Sequence, residues 1–275
     1  MESILATPQL LAEFAQIDTR SLDYLPTRRD VVISLTSVPS RLNTLRLVLN
    51  GLLAQTVRGV AIELHIAASI RSTGDRWTTF PSWLRELRAI NITEHAEDPG
   101  PMMKYLPALN MTVERLVIVV DDDVLYPSDL VQRLLDADQR WSYLAAICYR
   151  GWRIHRDLSW ERSVLTPASN AEDVPIGIMT GHGAYCLRSN HLDLRNLNNL
   201  CSAPDDCWMM DDIWISGHLS QACTAKRLIA GSRRYKIPIA SALGGHREER
   251  NDVALRWFSR DWTEWDLEPA EARTP

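Results

Sequence analysis

The spacing of apolar residues changes twice between positions 30 and 67. Residues 30–35 form a short, mainly apolar run, which predicts a buried strand. Leucines then recur every three or four residues from Leu42 to Leu52, so we predict a helix over 41–55. Apolar residues alternate from Val60 to Ile66, which predicts a second strand. This order is that of a βαβ unit in a parallel sheet.

Similar patterns extend on both sides of this unit. An N-terminal helix is predicted over Pro8–Phe14, with Thr7 as its cap. Further helices are predicted over 83–87 and 102–109 and after Pro127, and further strands over 89–92, 115–120 and 144–148. We therefore predict an α/β fold with a mostly parallel central sheet flanked by helices, in which residues 30–150 form a nucleotide-binding half.

The second half of the chain alternates less regularly. Loops or short strands are expected over 150–175, a strand–glycine turn–strand over Gly177–Leu187, and a helix over Asp211–Ala222. Short strands are expected over 227–230 and 236–239, and the last twenty or so residues are expected to pack on the surface or form a tail. No strong boundary divides the chain, so we predict a single domain over 1–275.

Composition excludes several classes of function. The 275 residues are 45% hydrophobic with a net charge of −5, which argues against nucleic-acid binding by a basic surface. No apolar run approaches the roughly 20 residues that a membrane span needs. The five cysteines form no Cys-X-X-Cys pair, and the N-terminal residues do not resemble a signal peptide. A cytoplasmic protein with reduced thiols is expected, and peripheral membrane attachment is left open.

Three consecutive acids follow the apolar run 117–120, namely Asp121, Asp122 and Asp123. Ligands of open α/β sheets bind beyond the carboxyl ends of the strands. Carboxylates placed together repel one another unless a cation compensates them, and hard divalent cations prefer oxygen ligands. We therefore predict a metal site at Asp121 and Asp123. The alternative is an acidic cluster favoured by the dipole of the following helix.

Other candidate residues each have a structural alternative. Gly181 and Gly183 around His182 fit a ligand-binding loop or a plain hairpin turn. The pair Asp211 and Asp212 fits a catalytic acid pair or a helix cap. Arg41 and Lys104 could contact phosphates or be surface charges. Trp152 and Trp214 could stack on a sugar or pack in the core.

The order of these motifs resembles that of GT-A glycosyltransferases, most closely bacterial and viral ones of the exostosin-like or family-2-like kind. The resemblance rests on the strand and turn Val32–Leu42, the segment Gly100–Leu109, and the acid triplet shortly after it. It covers roughly residues 30–250 and implies a Rossmann-like GT-A fold. Residues 151–250 would then be the acceptor-binding half and 251–275 a C-terminal extension.

The resemblance also implies roles for individual residues. Asp121 and Asp123 match the outer acids of the Asp-X-Asp motif, which bind Mn²⁺ or Mg²⁺ on the donor diphosphate. The segment Gly181–Gly183 matches the glycine loop near the donor sugar, and His246 matches a histidine that often completes the metal site. Met210-Asp211-Asp212 matches the X-Glu-Asp motif, with Asp in place of Glu. Asp122 would hydrogen-bond the nucleotide ribose or only orient its neighbours.

The implied reaction is sugar transfer from a UDP-, GDP- or dTDP-sugar to a hydroxyl of a glycan, polysaccharide or other acceptor. The enzyme would be a hexosyl- or deoxyhexosyltransferase, and the inverting version uses Asp212 as the base. Alternatives are a retaining enzyme of the same fold, a sugar-phosphate nucleotidyltransferase, or a non-catalytic carbohydrate- or metal-binding module. The turn after the first strand of the βαβ unit lacks glycine, which counts against the nucleotidyltransferase.

Overall fold

A computed structural model of the chain describes residues 4–111, 113–166, 173–231, 234–238 and 247–269. Its α-helices are α1 (Pro8–Ala15), α2 (Thr19–Leu22), α3 (Leu42–Leu53), α4 (Ser82–Arg85), α5 (Leu106–Leu109), α6 (Leu130–Arg140), α7 (Leu194–Leu197), α8 (Asp211–Gln221) and α9 (Arg247–Trp257). Its strands are β1 (Ile4–Leu5), β2 (Val31–Thr36), β3 (Ala61–Ala67), β4 (Ile90–His95), β5 (Leu116–Val119), β6 (Val124–Leu125), β7 (Ala145–Cys148), β8 (Gly151–Arg153), β9 (Val164–Thr166), β10 (Val174–Pro175), β11 (Ile178–Met179), β12 (Tyr185–Leu187), β13 (Ala225–Leu228) and β14 (Tyr235–Lys236).

An eight-stranded sheet with the order β10-β13-β7-β12-β5-β2-β3-β4 forms the centre of the fold. The strands β5, β2, β3 and β4 pair in parallel, as the βαβ pattern predicts, and β13 is parallel to β7. β12 runs antiparallel to both β5 and β7 between these two parallel groups. Two small sheets, β1-β14-β6 and β11-β8-β9, lie outside the central one.

Both faces of the central sheet are covered. In β2, Val31, Ile33 and Leu35 pack into one apolar cluster, whereas Val32 packs into the other. This alternation follows from the period of two in a strand. A strand buried on both faces has few polar positions, which explains the continuous apolar runs in the sequence. The predicted mostly parallel α/β architecture is therefore confirmed.

The helix predicted over 102–109 is wrong in detail. The chain instead makes a 3₁₀ turn over Gly100–Lys104 and then the short helix α5. Tyr105 between them has φ −132°, which is not helical. Pro107 supplies no amide hydrogen and is tolerated only in the first turn of a helix, so a new helix begins just before it.

The segment Gly177–Leu187 contains the predicted strand, turn and strand, but it is not a hairpin. β11 pairs with β8 in a small sheet, whereas β12 enters the central sheet between β5 and β7. The 3₁₀ turn Gly181–Gly183 between them therefore links two sheets. The turn therefore lies where the chain passes from the small sheet into the central sheet.

The expectation of a surface segment or tail at the C-terminus is wrong for part of this segment, whereas Trp257 and Trp265 are exposed and residues 270–275 lie outside the described residues. Residues 247–257 form helix α9, and Phe258 and Trp262 are buried in the second apolar cluster. Asp266 fixes this segment further, because its carboxylate lies 2.9 Å from the buried ammonium of Lys226. The many charged residues of α9 hide the few apolar positions that pack into the core, so the sequence did not predict this helix.

None of the helices in the described ranges is both long and apolar enough to cross a membrane. The cytoplasmic location stays a prediction.

Candidate active site

A cleft of about 450 Å³ opens beyond the carboxyl ends of β2, β3 and β5. Its volume is within the range of sites that hold small-molecule ligands. All three acids of the triplet line it, as do both acids at the start of α8. The structure thus brings together residues that are about ninety positions apart in the sequence, as the order of motifs predicted.

Tyr126 fixes the first acid of the triplet to the glycine turn. The Asp121 amide donates a hydrogen bond to the Tyr126 hydroxyl over 2.9 Å, and this hydroxyl donates to the Gly181 carbonyl over 3.0 Å. Tyr126 is buried, so this bridge is shielded from water. The end of β5 and the turn before β12 are consequently held at a fixed separation.

Asp122 is buried at the cleft wall and has partners on both oxygens. Ser37 donates to its Oδ2 over 2.6 Å, and the Arg41 guanidinium donates to its Oδ1 over 2.7 Å. Burial raises the pKa of Asp122, and the contacts with Arg41 and Ser37 oppose that rise. Asp122 therefore ties the end of β5 to the turn after β2, which gives this acid a positioning role. Its contact with a nucleotide stays a prediction.

Lys104 lies at the centre of the acids. Its ammonium is 2.8 Å from Asp121 Oδ1, 2.7 Å from Asp211 Oδ2 and 3.9 Å from Asp212 Oδ1. Burial lowers the pKa of Lys104, but the carboxylates of Asp121, Asp211 and Asp212 outweigh it and hold the pKa well above its ordinary value. Lys104 is thus a buried cation that holds both acid groups together. The phosphate contact predicted for it stays a prediction.

Asp212 is half-buried and accepts one hydrogen bond from the backbone. Its Oδ1 accepts from the Gly181 amide over 2.9 Å. Burial and the neighbouring Asp211 raise the pKa of Asp212 to about 7, against the opposing effect of Lys104. A carboxylate with a pKa near neutrality, at the wall of a cleft, is suited to accept a proton.

Glycine is required at position 181. A Cβ atom there would lie 2.5 Å from both Asp121 Oδ1 and Lys104 Nζ. At Gly183, a Cβ atom would lie 2.7 Å from the backbone nitrogen of Arg150. Gly181 therefore permits close packing of the turn on the acid cluster, and Gly183 permits close packing on Arg150. The strands on either side of the turn pair in different sheets, so the hairpin alternative is excluded.

His182, between these glycines, lines the cleft. Burial lowers the pKa of His182 to about 4, with Arg150, Arg234 and Lys236 acting in the same direction and Asp121 opposing them. The imidazole is therefore neutral at pH 7 and can donate and accept one hydrogen bond each.

The Asp123 carboxylate, unlike those of Asp121 and Asp122, contacts no side chain through a hydrogen bond or ion pair among the described residues. Burial, Asp121 and Asp122 raise its pKa to about 6. An unpartnered oxygen donor beside two other acids fits a hard divalent cation.

The described residues contain no group of three or more His, Cys, Asp or Glu side chains that could hold a metal ion. Asp121 and Asp123 supply two oxygen ligands, and Mg²⁺ is commonly held by one or two carboxylates together with substrate phosphates. The residues present therefore fit such an ion. His246, predicted as a further ligand, lies outside the described residues.

The two tryptophans predicted as sugar platforms differ in position. Trp214 is buried in the second apolar cluster, and its indole donates to the Leu197 carbonyl over 3.1 Å. Trp214 therefore packs in the core, which is the favoured one of the two uses considered for it, and does not stack on a sugar. Trp152 lines the cleft and packs against Trp160, with ring centroids 4.7 Å apart.

Several cleft residues had no signal in the sequence. Trp160 lies in an irregular segment, and Lys236 lies beside the acids only through tertiary contacts. Tyr126 was not predicted as a hydrogen-bond partner of Asp121, although it follows Asp121 by only five residues. Nothing local distinguishes Trp160 or Lys236.

Comparison with solved structures identifies the fold. GalNAc-T7 with UDP, GalNAc and Mn²⁺ superposes with a TM-score of 0.55 at 10% identity, covering 94% of this chain and 57% of that one. The mannosyltransferase PcManGT from Pyrobaculum calidifontis, in complex with GDP-Man and Mn²⁺, gives a TM-score of 0.51 at 13% identity, covering 85% and 64%. This chain has the GT-A fold.

The GT-A fold predicted from the order of motifs is thus confirmed. The chain spans about three fifths of the length of these two structures, 57% and 64%. No protein-family model and no curated protein matches the sequence.

Proposed function

We propose that this chain is a metal-dependent glycosyltransferase that moves a sugar from a nucleotide-diphosphate sugar to a hydroxyl of a glycan or other acceptor. One observation carries the proposal. Asp212, with a pKa raised to about 7, lies in the same cleft of a GT-A fold as the triplet Asp121–Asp123. A base and a cation site that share one cleft are what group transfer from a diphosphate needs.

The donor lies beyond the carboxyl ends of β2, β3 and β5. Mn²⁺ or Mg²⁺ held by Asp121 and Asp123 would offset the negative charge of the departing nucleoside diphosphate. His246 is proposed as a further ligand. Two of the solved structures with this fold contain UDP or GDP-Man together with Mn²⁺, which supports a UDP- or GDP-sugar donor and a manganese ion. A dTDP-sugar belongs to the same chemical class.

The oxygen of the acceptor hydroxyl attacks the anomeric carbon, and Asp212 accepts the proton that this hydroxyl loses. The new bond forms between this oxygen and the anomeric carbon, and the bond from that carbon to the diphosphate oxygen breaks. The Gly181 amide orients the carboxylate, and the buried Lys104 limits its movement. Attack opposite the leaving group inverts the anomeric configuration.

The acceptor binds at the side of the cleft formed by residues 151–250. Trp152 and Trp160 expose part of their rings there, and aromatic faces stack on the apolar faces of sugars. The neutral His182 adds a donor and an acceptor for hydroxyl groups.

Donor hydrolysis tests this function without knowledge of the acceptor, because water can replace it. UDP-, GDP- and dTDP-sugars are incubated with the protein and Mn²⁺, or with a chelator. Metal-dependent release of one nucleoside diphosphate, with inverted configuration of the released sugar, is expected. Release of pyrophosphate would indicate a nucleotidyltransferase, retained configuration would exclude the role of Asp212 as base, and no release would exclude the proposal.

A further inference from the structure

Four lysine and arginine side chains of the described residues line the cleft, and three of them already have a partner. The Arg41 guanidinium is bound to the buried Asp122, with 2.7 Å between the charged atoms. The Lys104 ammonium contacts Asp121 and Asp211. Arg150 donates to the Thr180 hydroxyl over 3.2 Å.

Lys236 is the fourth of these cations. It belongs to β14, which pairs antiparallel with β6, so Lys236 lies opposite Val124, the residue after the triplet. The next amide, that of Ile237, donates to the Asp123 carbonyl over 2.8 Å. Over the ranges that the structure describes, no hydrogen bond or ion pair engages the Lys236 ammonium. The pairing of two short strands thus brings an uncommitted cation to the triplet.

A phosphate binds most favourably to a cation that does not first have to break an ion pair with a carboxylate. Arg41 and Lys104 would each have to leave a buried carboxylate, and an uncompensated buried charge is costly. Lys236 has no such cost, and a charge-assisted bond from an ammonium to a phosphate is among the stronger hydrogen bonds. We infer that Lys236 contacts the diphosphate of the donor, a role that rests on the proposed function.

This role predicts effects of opposite sign for two ligands. Lys236 acts on Asp123 as a nearby positive charge. It therefore opposes the binding of Mn²⁺ alone and favours the binding of a diphosphate. A lysine that merely stabilises the fold would affect both ligands in the same direction.

The test compares Lys236→Met, which keeps the length of the side chain but removes its charge, with Lys236→Arg, which keeps the charge. Arg195→Met is the matched control, because Arg195 is exposed and does not line the cleft. Calorimetry measures the binding of UDP, GDP and dTDP with Mn²⁺, of the three nucleosides with Mn²⁺, and of Mn²⁺ alone.

Lys236→Met should weaken binding of the nucleoside diphosphate about tenfold or more, which is the loss of one charge-assisted contact. Its affinity for the nucleoside should not change, and its affinity for Mn²⁺ alone should stay the same or increase. Lys236→Arg should stay within roughly threefold of the wild type for the diphosphate, as should Arg195→Met.

Two results would overturn the inference and leave the proposed function intact. One is wild-type affinity of Lys236→Met for the diphosphate. The other is equal weakening of diphosphate, nucleoside and Mn²⁺ binding by Lys236→Met, which would indicate a structural role. If the wild type bound none of the three nucleotides, both the inference and the proposed function would fall.

Discussion

The Gly181 amide and the Asp212 carboxylate are joined by a hydrogen bond of 2.9 Å between the turn before β12 and the first turn of α8. Gly181 also lies against Asp121 and Lys104 at a distance that excludes any side chain. The position of the proposed base therefore depends on the absence of one methyl group.

Gly181→Ala should lower kcat for donor hydrolysis about 100-fold, since small displacements of catalytic groups have effects of that size. Binding of Mn²⁺ should also weaken, because the new Cβ atom would displace the Asp121 carboxylate. Steady-state kinetics and calorimetry measure the two effects. Gly59→Ala is the control, because a Cβ there would meet Thr27 rather than the acids. It should lower Tm and leave kcat unchanged; a fully active Gly181→Ala enzyme would contradict the close packing.

The pKa of Asp212 determines the expected pH dependence. Because the pKa in the folded protein is raised to about 7, the carboxylate is ionised, and able to accept a proton, only above that pH. We expect kcat/KM for donor hydrolysis to increase with pH between about 6 and 8 and then to level off. Asp212→Asn should lower the rate by about 10²–10⁴ and remove this inflection. A pH profile that is the same in both proteins would assign the base to another residue.

Asp123→Asn separates metal binding from stability. Removing one of three adjacent charges relieves repulsion, so the metal-free variant should be more stable than the wild type by about 1 kcal/mol at pH 7.5. The same variant should lose the increase in Tm that Mn²⁺ gives the wild type. Thermal unfolding with and without Mn²⁺ measures both effects. Asp206→Asn, at an exposed acid outside the cleft, should leave the effect of Mn²⁺ intact.

Asp266→Ala should destabilise the fold without involving the cleft. It would leave the Lys226 ammonium buried without its charged partner, at a cost of about 3–5 kcal/mol. Chemical denaturation gives the change in the free energy of unfolding. Glu264→Gln removes the exposed ion pair with Arg156 in the same segment and should leave Tm unchanged. Equal stability of the two variants would mean that the C-terminal segment is not fixed by this pair.

Trp152 and Trp160 should affect transfer but not donor hydrolysis. Replacing either ring with alanine removes a stacking face worth about 0.5–1.5 kcal/mol, which corresponds to a KM for a sugar acceptor that is about 2- to 12-fold higher. The acceptors are glycans that the wild type glycosylates, and the released nucleoside diphosphate is the readout. Trp257→Ala, at an exposed tryptophan outside the cleft, is the control. An unchanged KM in both cleft variants would place the acceptor elsewhere.

The sequence predicted the parallel part of the central sheet well because its signals are local. An apolar run that ends in acids identifies both β5 and the end that faces a ligand, since carboxyl ends of parallel strands share one edge. Asp211 and Asp212 were likewise placed correctly at the start of a helix. Each of these predictions needed fewer than about fifteen consecutive residues.

Partners distant in sequence could not be predicted. Lys104 pairs with acids 17 and 107 positions later, and β12 inserts between strands that pattern alone would pair directly. Arg41 and Lys104 were expected to contact phosphates because they are basic and close to the motifs. The structure shows that buried carboxylates already engage both, which only tertiary contacts reveal.

The bonds of Asp122 to Ser37 and Arg41 also bear on efforts to redesign the proposed transferase. They connect the ends of β2 and β5 at the base of the cleft, where both carboxylate oxygens of Asp122 already accept a hydrogen bond. If the cleft binds the proposed donor, we expect selectivity between donors to depend on other side chains that line it, such as Ile70, Ser72 and Trp208. Combinatorial libraries aimed at a new donor should vary Ile70, Ser72 and Trp208 and keep Ser37, Arg41 and Asp122 unchanged.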